Sequence, residues 1–452
     1  MRRPILAVLL AAACAAPTAL GPPPAPVAPP APAEPAPVVE GEVTEGRLGG
    51  MTLLVKRARG AELVTAQLYV RGGALNWTAA TGGIEQLAFH VASTGGAGGL
   101  DKAAFARRLA GLGADLHAET TRDWSMVQAK GPRPATPELL RLAADVLLRP
   151  ALPASEVEVA RQQQLIGLQQ LQEDPDGRLG ALLDEVRFQG HPYRVRPEGT
   201  QATVKALTAA QLGAHLAGLR EQARLVLVVV GDVDFDAVRA QAQALFGSLP
   251  RGAASSGPPP LPTIAASTLT PEARTLPTNY LEGVFRGPPP GSPGYATGVA
   301  TNSLLWERLF YEVRTRRNLS YAPGTRWDLT GAGTYGGLYV TAVDPTTTWR
   351  VMLGELRRLQ TEPVPADDLA GAKAQARTSM LMRQESTDGQ ASSLGGSLLL
   401  TGDWRFRQRL VEQVRAVTVE DVQAYARQYF GRLQVVLLGN PAALDPAVAT
   451  SL

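Results

Sequence analysis

The sequence contains almost no cysteine and little histidine. Its 452 residues include a single cysteine, Cys14, so no disulfide bond can form within the chain. The four histidines are His90, His117, His191 and His215. None has a second histidine four residues away, the spacing at which two imidazoles on one helix share a metal ion. We therefore expect no metal site built from a histidine pair.

The sequence also lacks an excess of charge of one sign. It has 44 basic and 41 acidic residues, a formal net charge of +3, and no long run of Lys or Arg. This balance gives no indication of a nucleic-acid-binding surface. Apolar residues make up 45% and charged residues 19%, which is typical of a globular protein, and the length suffices for two sizeable domains.

Two short motifs are incomplete. The glycine-rich stretch Gly95–Gly99 lacks the Gly-Lys-Ser/Thr ending of a phosphate loop and indicates a turn. The segment Asp232–Asp236 begins like a calcium loop, but Ala237 and Gln243 stand where that loop needs Gly and Glu. Capping between a strand and a helix explains these aspartates better. No Ser-His-Asp constellation follows from the spacing of those residue types.

The first 14 residues are typical of an export signal. Two arginines precede nine apolar residues, Ile5–Ala13, a run too short to span a bilayer. The segment "LAAAC" resembles a bacterial lipobox, although Leu10 lies one place further from the cysteine than usual. This motif predicts cleavage and lipidation at Cys14. Ordinary cleavage at the alanine-rich segment, releasing a soluble secreted protein, is the alternative.

A proline-rich segment follows the signal, and we predict that residues 15–44 form a tether. Ten of the 21 residues in Pro17–Pro37 are proline. Such a segment favours extended polyproline II and reaches about 60 Å. Together with the signal, it predicts a protein exported to the bacterial cell envelope and held at a membrane, in the periplasm, by a lipid anchor.

The rest of the chain mixes strand and helix patterns. Residues 51–73 alternate in polarity and are rich in β-branched residues, which predicts strands joined by a turn. Helical periodicity predicts four helices, at 101–112, 137–148, 154–172 and 178–188. Pro175 separates the last two.

An internal repeat divides the chain into two halves. The segments that begin at Val204 and Val414 each contain a helix-capping threonine, a helix, and an apolar strand that ends in glycine. A repeat of this period indicates a duplicated domain. We predict an N-terminal domain at 45–250, a linker at 251–268 and a C-terminal domain at 269–452. Without regular βαβ alternation, each domain is expected to be α+β, a mostly antiparallel sheet with helices packed on it.

Five stretches, in order, give the chain a specific resemblance. It is similar to the insulinase/pitrilysin family of zinc metallopeptidases, in particular to its bacterial, mitochondrial-processing-peptidase-like branch. The stretches are "GGIEQLAFH", "HPYRVRPEGT", "LVVVGDVD", "ERLFYEVRTRRNLSY" and "VRAVTVEDV". The resemblance covers essentially everything after the tether and implies two homologous α+β domains.

Active members of that family bind zinc through an inverted H-x-x-E-H motif on a helix and a glutamate from a later helix. The resemblance places Gln86, Phe89 and His90 at the motif positions and Gly167 at the third ligand position. An amide is a poor zinc ligand beside imidazole, and a phenyl ring cannot take a proton from a zinc-bound water. We therefore predict a degenerate zinc site, in which His90 is a hydrogen-bonded helix residue rather than a lone ligand.

The family's C-terminal domain carries an Arg and a Tyr seven residues apart that hold the substrate backbone. Arg314 and Tyr321 match this pair, so the resemblance implies that they bind substrate. Guanidinium and phenol groups are suited to donate hydrogen bonds to peptide carbonyls. Without the resemblance, they would be interpreted as a surface arginine and a tyrosine at a strand start. The family's glycine-rich run is absent before this segment, and "ATNSLLWERLF" stands there instead.

The resemblance implies the non-catalytic subunit of an exported heterodimeric zinc metallopeptidase. Such a subunit shapes a chamber and binds unfolded peptide, while a homologous partner carries the zinc and cleaves. No cofactor is expected in this chain, which would not be an enzyme on its own. Two alternatives are a structural or peptide-binding lipoprotein with no peptidase role, and an active enzyme with unrecognised ligands.

Overall fold

The computed structural model describes residues 35–253 and 256–452, and residues from Pro35 onward pack as one unit. The predicted export signal, Cys14 and most of the proline-rich tether lie outside the described residues. The last residues predicted as tether, 38–44, instead form β1 and the start of β2, because this segment pairs with the first sheet. No helix in the described ranges is both long and apolar enough to cross a bilayer.

Each half of the chain is built around one sheet. The first sheet contains β1 (Val38–Glu40), β2 (Val43–Leu48), β3 (Met51–Arg57), β4 (Leu63–Arg71), β5 (Asp115–Thr120), β6 (Trp124–Pro132) and β7 (Leu225–Gly231), in the order β1-β2-β3-β7-β4-β6-β5. The second contains β8 (Thr268–Ala273), β9 (Asn279–Arg286), β10 (Gly324–Thr330), β11 (Gly333–Ala342) and β12 (Gln434–Gly439), in the order β10-β11-β9-β12-β8.

Helices cover the faces of both sheets. In the first half they are α1 (Ile84–Thr94), α2 (Lys102–Leu112), α3 (Thr136–Leu148), α4 (Ala154–Glu173), α5 (Pro175–Arg187), α6 (Gln201–Ala206), α7 (Ala209–Gly218) and α8 (Phe235–Phe246). In the second half they are α9 (Gly294–Leu309), α10 (Pro345–Thr361), α11 (Ala366–Met382), α12 (Thr387–Thr401), α13 (Phe406–Ala416), α14 (Val419–Tyr429) and α15 (Pro446–Ala449). A π-helical segment, Phe310–Arg316, continues α9.

The second sheet has the same strand arrangement as strands β3, β7, β4, β6 and β5 of the first, which confirms the prediction of two homologous α+β halves with mostly antiparallel sheets. Each sheet has one parallel pair, β3 with β7 and β8 with β12. In each half the strand of the internal repeat, β7 or β12, enters the middle of the sheet and pairs antiparallel with β4 or β9. The strands predicted for residues 51–73 are present as β3 and β4, but β7 lies between them.

The repeated segments have the same local structure. Thr208 and Thr418 each accept a hydrogen bond from the backbone three residues later, and the residue at that position reciprocates, so both helices begin with a capping box. Both repeats end in glycine because the next strand is close. A Cβ at Gly231 would lie 2.6 Å from Val64, and one at Gly439 would lie 2.4 Å from the side chain of Asn279.

Each half also contributes a helix to the other half's sheet. α5 packs against β9 and β12, and α12 packs against β4 and β7.

The helix predicted to start at Arg178 starts at Pro175, because proline is favourable at the first helical position and Asp174 caps the end by accepting from the Gly177 amide at 2.7 Å. A carboxylate on this helix, Asp184, accepts from three arginines.

Candidate functional site

Helices α1 and α4 and the edge strand β5 enclose a cavity of about 480 Å³, which we call the first cavity. All four positions that the sequence assigned to a degenerate zinc site line it. The lining residues are Gln86, Phe89, His90, Ala118–Thr120, Ala160, Gln163, Gln164, Gly167, Leu168, Leu171 and Glu198. The structure therefore brings together side chains from helices separated by more than sixty residues in the sequence.

Two glycines determine where α1 begins. Gly83 is the N-cap and has φ of 93°, in the left-handed region that favours glycine. A Cβ at Gly82 would lie 2.9 Å from the Val195 side chain. From this start, the apolar residues of α1 face the core, whereas Gln86 and His90, four residues apart, lie on the side that faces the cavity.

The side chains at the zinc-motif positions are held by ordinary packing and hydrogen bonding. Phe89 is only 1% exposed and belongs to the core of the first half. The exposed His90 ring has Nε2 3.1 Å from Gln163 Oε1, which joins α1 to α4. Gly167, one turn further along α4, has open space where a Cβ would stand.

The donor atoms of the first cavity do not fit a catalytic zinc ion. Such an ion needs about three strong nitrogen, sulfur or carboxylate ligands and an open position. His90 supplies one imidazole, Gln86 an amide and Gly167 no side chain. Across the described part of the chain, no group of three or more His, Cys, Asp or Glu residues is arranged to hold a metal ion. Phe89, at the position of the general base, has no atom that can accept a proton.

A buried polar cluster beside the motif was missed from the sequence. Glu85, 1% exposed, accepts a hydrogen bond from Ser125 Oγ at 2.6 Å, and its other oxygen lies 2.9 Å from His215 Nε2. The carboxylate stands between the serine and the histidine, so this is not the order of a nucleophilic triad. The cluster instead ties α1 to β6 and α7. Spacing could not reveal it, since its members lie 40 and 130 residues apart.

We expect Glu85→Ala to lower the free energy of unfolding by about 2–3 kcal/mol, because Ser125 and His215 would lose their shared buried acceptor. Urea unfolding followed by circular dichroism measures the change. Glu119→Ala is the matched control. Glu119 is exposed on β5, so this change should stay within about 0.5 kcal/mol. Equal effects of the two substitutions would contradict an anchoring role for Glu85.

The structure brings Arg314 and Tyr321 into direct contact. The Arg314 guanidinium carbon lies 4.1 Å from the centre of the Tyr321 ring and 4.9 Å from that of Phe310. Tyr321 is 78% exposed. Neither Arg314 nor Tyr321 donates or accepts a side-chain hydrogen bond within the described ranges, so both present free donors. Neither is among the residues that line the first cavity.

The neighbouring arginines are engaged differently. Arg316 Nη1 lies 3.2 Å from Glu312 Oε1, and Arg317 also forms an ion pair with Glu312. Glu312 is 6% exposed. These ion pairs stabilise the π-helical segment. Within that segment, Arg314 forms no ion pair with a carboxylate of the described residues.

Comparison with known proteins agrees with the duplicated architecture. The family model described as "Insulinase (Peptidase family M16)" matches residues 52–199, and "Peptidase M16 inactive domain" matches residues 206–376. An uncharacterized zinc protease of Mycobacterium tuberculosis is 27% identical over 336 residues, which cover 72% of this chain and 77% of that protein.

Two further proteins extend the comparison. The mitochondrial-processing peptidase subunit beta of Saccharomyces cerevisiae is 22% identical over 359 residues, covering 74% of this chain and 77% of that protein. A crystal structure of a peptidase M16 inactive domain from Pseudomonas fluorescens superposes with a TM-score of 0.81 at 21% identity, covering 89% of this chain and 100% of that one. With both M16 models matched in succession over most of its length, the chain belongs to peptidase family M16, the insulinase family.

Proposed function

We propose that this chain is the non-catalytic subunit of an exported heterodimeric zinc metallopeptidase. It binds unfolded peptide in a chamber shared with a homologous partner, which supplies the zinc and the general base. The observation that carries the proposal is the first cavity. Its helices are arranged around the family's metal positions, yet three of the four positions carry groups that can neither ligate zinc well nor accept a proton.

The Arg314–Tyr321 pair supports a role in peptide binding. Stacking on the ring orients the guanidinium and leaves its N–H groups available, and the phenol is exposed beside it. Both are rigid donors for the carbonyl groups of an extended peptide. A purely structural role would not explain why the Arg314 guanidinium and the Tyr321 hydroxyl lie together at the surface with their hydrogen-bond donors unpaired.

The relatives give this proposal its context. One is named as a subunit of a processing peptidase, and the solved Pseudomonas fluorescens structure is named as an inactive domain. For the present chain, we propose the same division of labour between a zinc-bearing and a zinc-free subunit. The predicted signal and lipid anchor would place the pair at a membrane of the bacterial cell envelope.

Reconstitution with a homologous subunit that contains an intact H-x-x-E-H motif tests the proposal. Arg314→Ala is expected to lower kcat/KM for an unfolded peptide about 10-fold to 100-fold, because a charge-assisted hydrogen bond is lost. Tyr321→Phe should lower it about threefold to tenfold. Arg316→Ala, on the same segment but paired with Glu312, is the control and should lower turnover far less than Arg314→Ala, because Arg317 still pairs with Glu312.

Two outcomes would overturn the proposal. The first is full turnover by the reconstituted pair when both Arg314 and Tyr321 are replaced. The second is capture of this chain from the native envelope in an assembly that contains no zinc-bearing homologue, which would favour the structural lipoprotein. Metal analysis of the reconstituted pair is expected to find zinc in the partner only, and stoichiometric zinc in this chain alone would revive an active enzyme.

A further inference from the structure

The second half contains a cavity of about 500 Å³, which we call the second cavity, in the place that corresponds to the first. The helix α9 contributes Val299, Asn302 and Ser303, which have the same relative spacing as the three zinc-motif positions that α1 contributes to the first cavity. Strand β10 replaces β5, and α11 replaces α4. The duplication has therefore produced two cavities from equivalent elements.

The lining of the two cavities differs in charge. Arg383, at the C-terminal end of α11, and Arg407, on α13, both line the second cavity. No aspartate or glutamate is among the residues that line the second cavity. The first cavity, in contrast, is lined by Glu119 and Glu198 and by no lysine or arginine. The charged residues that line the second cavity, Arg383 and Arg407, are therefore both basic.

Arg407 forms no ion pair within the part of the chain that the structure describes. It is half-buried, and its guanidinium forms no hydrogen bond with any residue in the described ranges. Burial lowers the pKa of Arg407, and the nearby positive charge of Arg383 acts in the same direction. Withdrawing a guanidinium from water is costly unless an anion compensates it. An anionic ligand that reached both arginines would provide that compensation.

One wall of the second cavity is aromatic and already formed. It consists of Trp327, Tyr295 and Phe406, with Trp327 Nε1 donating to the Tyr295 hydroxyl at 3.1 Å. Trp327 lies directly over Gly298, where a Cβ would stand 2.2 Å from the ring. A wall of this kind buries an apolar group next to the anion.

A buried acceptor in the same cavity is unused. Asn302 lines the cavity and is only partly buried as a residue; its Oδ1 is almost fully buried and has no hydrogen-bond partner among the described residues. A buried acceptor without a donor is unfavourable, so a ligand that supplies an N–H group beside its anion would fit the cavity better than one without. The second cavity therefore offers cations, an aromatic wall and an acceptor within one enclosure.

We propose that the second cavity binds the C-terminal residue of a peptide. Arg407 and Arg383 receive the α-carboxylate, the aromatic wall receives an apolar side chain, and Asn302 accepts from the terminal backbone N–H. A fatty acid shares the carboxylate and the apolar chain, but it has no N–H to offer Asn302. This inference rests on the proposed function, because it takes the ligand to be a peptide, and it adds that the peptide is held by its end.

Fluorescence anisotropy with the purified full chain tests the inference. The probe is an unstructured decapeptide with leucine at its C-terminus and fluorescein at its N-terminus, made as the free acid and as the C-terminal amide. The acid is expected to bind at least tenfold more tightly than the amide. Arg407→Gln should remove this preference, and Arg383→Gln, at an exposed position, should reduce it.

Arg409→Gln is the matched control. It removes the same charge from the same helix, but Arg409 is exposed and paired with Asp403, so the preference for the acid should remain. Circular dichroism of each variant verifies that it has folded. Oleate is tested as a competitor. If oleate displaces the labelled acid peptide at the same concentration as an unlabelled acid peptide does, the inference is overturned in favour of a fatty-acid site.

The remaining outcomes separate this inference from the proposed function. Equal binding of acid and amide, with both sensitive to Arg314→Ala, would overturn the carboxylate site and leave the peptide-binding subunit intact. Absence of binding by every peptide, alone and in the reconstituted pair, would overturn both.

Discussion

Replacing Gln86 with histidine and Gly167 with glutamate is expected to give a chain that binds one zinc ion. The new imidazole would stand four residues before His90 on α1, the spacing at which two histidines share a metal. Position 167 is on α4, which faces α1, as the contact between Gln163 and His90 shows. Among the described residues, no atom lies within 4 Å of where a Cβ at position 167 would stand. Three ligands and an open position would then be present.

Elemental analysis and thermal unfolding measure the result. We expect about one zinc per chain in the Gln86→His, Gly167→Glu variant and no stoichiometric zinc in the unmodified chain. At a free zinc concentration about 1,000 times the dissociation constant, the variant should gain about 4 kcal/mol of unfolding free energy. Adding His90→Ala to the pair is the control and should abolish the gain. A folded variant without zinc would mean that α1 and α4 are not opposed as described.

The missing general base can be added as a separate step. Phe89→Glu in the zinc-binding background removes a nearly fully buried aromatic ring and places a carboxylate in its place. We expect this substitution alone to cost about 3–5 kcal/mol, because it combines loss of packing with burial of a charge. Bound zinc would offset part of that cost. Peptide hydrolysis should require all three substitutions, since the two-substitution variant holds the metal without a group to deprotonate its water.

Local signals explain why much of the fold was predictable. The capping threonines, the apolar strands and their terminal glycines act within about thirty residues, so their consequences can be read from the sequence. The degenerate zinc positions were predicted from the resemblance to the zinc metallopeptidase family, and the structure places all four at one cavity. That these four residues cannot hold a catalytic zinc ion is inferred from residue type alone. It stays a prediction until metal binding is measured.

What the sequence did not reveal depends on contacts between distant elements. The insertion of β7 between β3 and β4 is a pairing across more than 150 residues, which no local pattern records. In the sequence, nothing distinguishes Glu85 from other glutamates on helices. Only the folded structure places Ser125 and His215 beside it. Arg383 and Arg407 are ordinary arginines in the sequence, and only the packing of α11 against α13 places both on one cavity.

Asp184→Asn is expected to cause a large loss of stability. Asp184 is 5% exposed, and its two oxygens lie 2.6 Å from Arg122, 2.9 Å from Arg187 and 2.8 Å from Arg196. Neutralising this carboxylate would leave three partly buried guanidinium groups around an amide. Removing one member of a buried ion pair typically costs about 3–5 kcal/mol, a large share of the 5–15 kcal/mol by which a protein is usually stable.

The neighbouring pair provides the control for this prediction. Arg187 also reaches Asp328 of β10 at 2.6 Å, which links the helix α5 to the sheet of the second half. The Asp328 side chain is 40% exposed, so water can replace its partner. Asp328→Asn should therefore cost no more than about 1 kcal/mol.

Urea unfolding of both variants distinguishes a buried hub from a set of surface ion pairs. If Asp184 is the hub, its substitution should lower the unfolding midpoint at low and at high salt alike, because ions screen buried pairs poorly. The small effect of Asp328→Asn should shrink further as salt is added. Equal costs for the two substitutions, or a cost at Asp184 that disappears in 1 M salt, would show that α5 is held to the second sheet mainly by apolar packing.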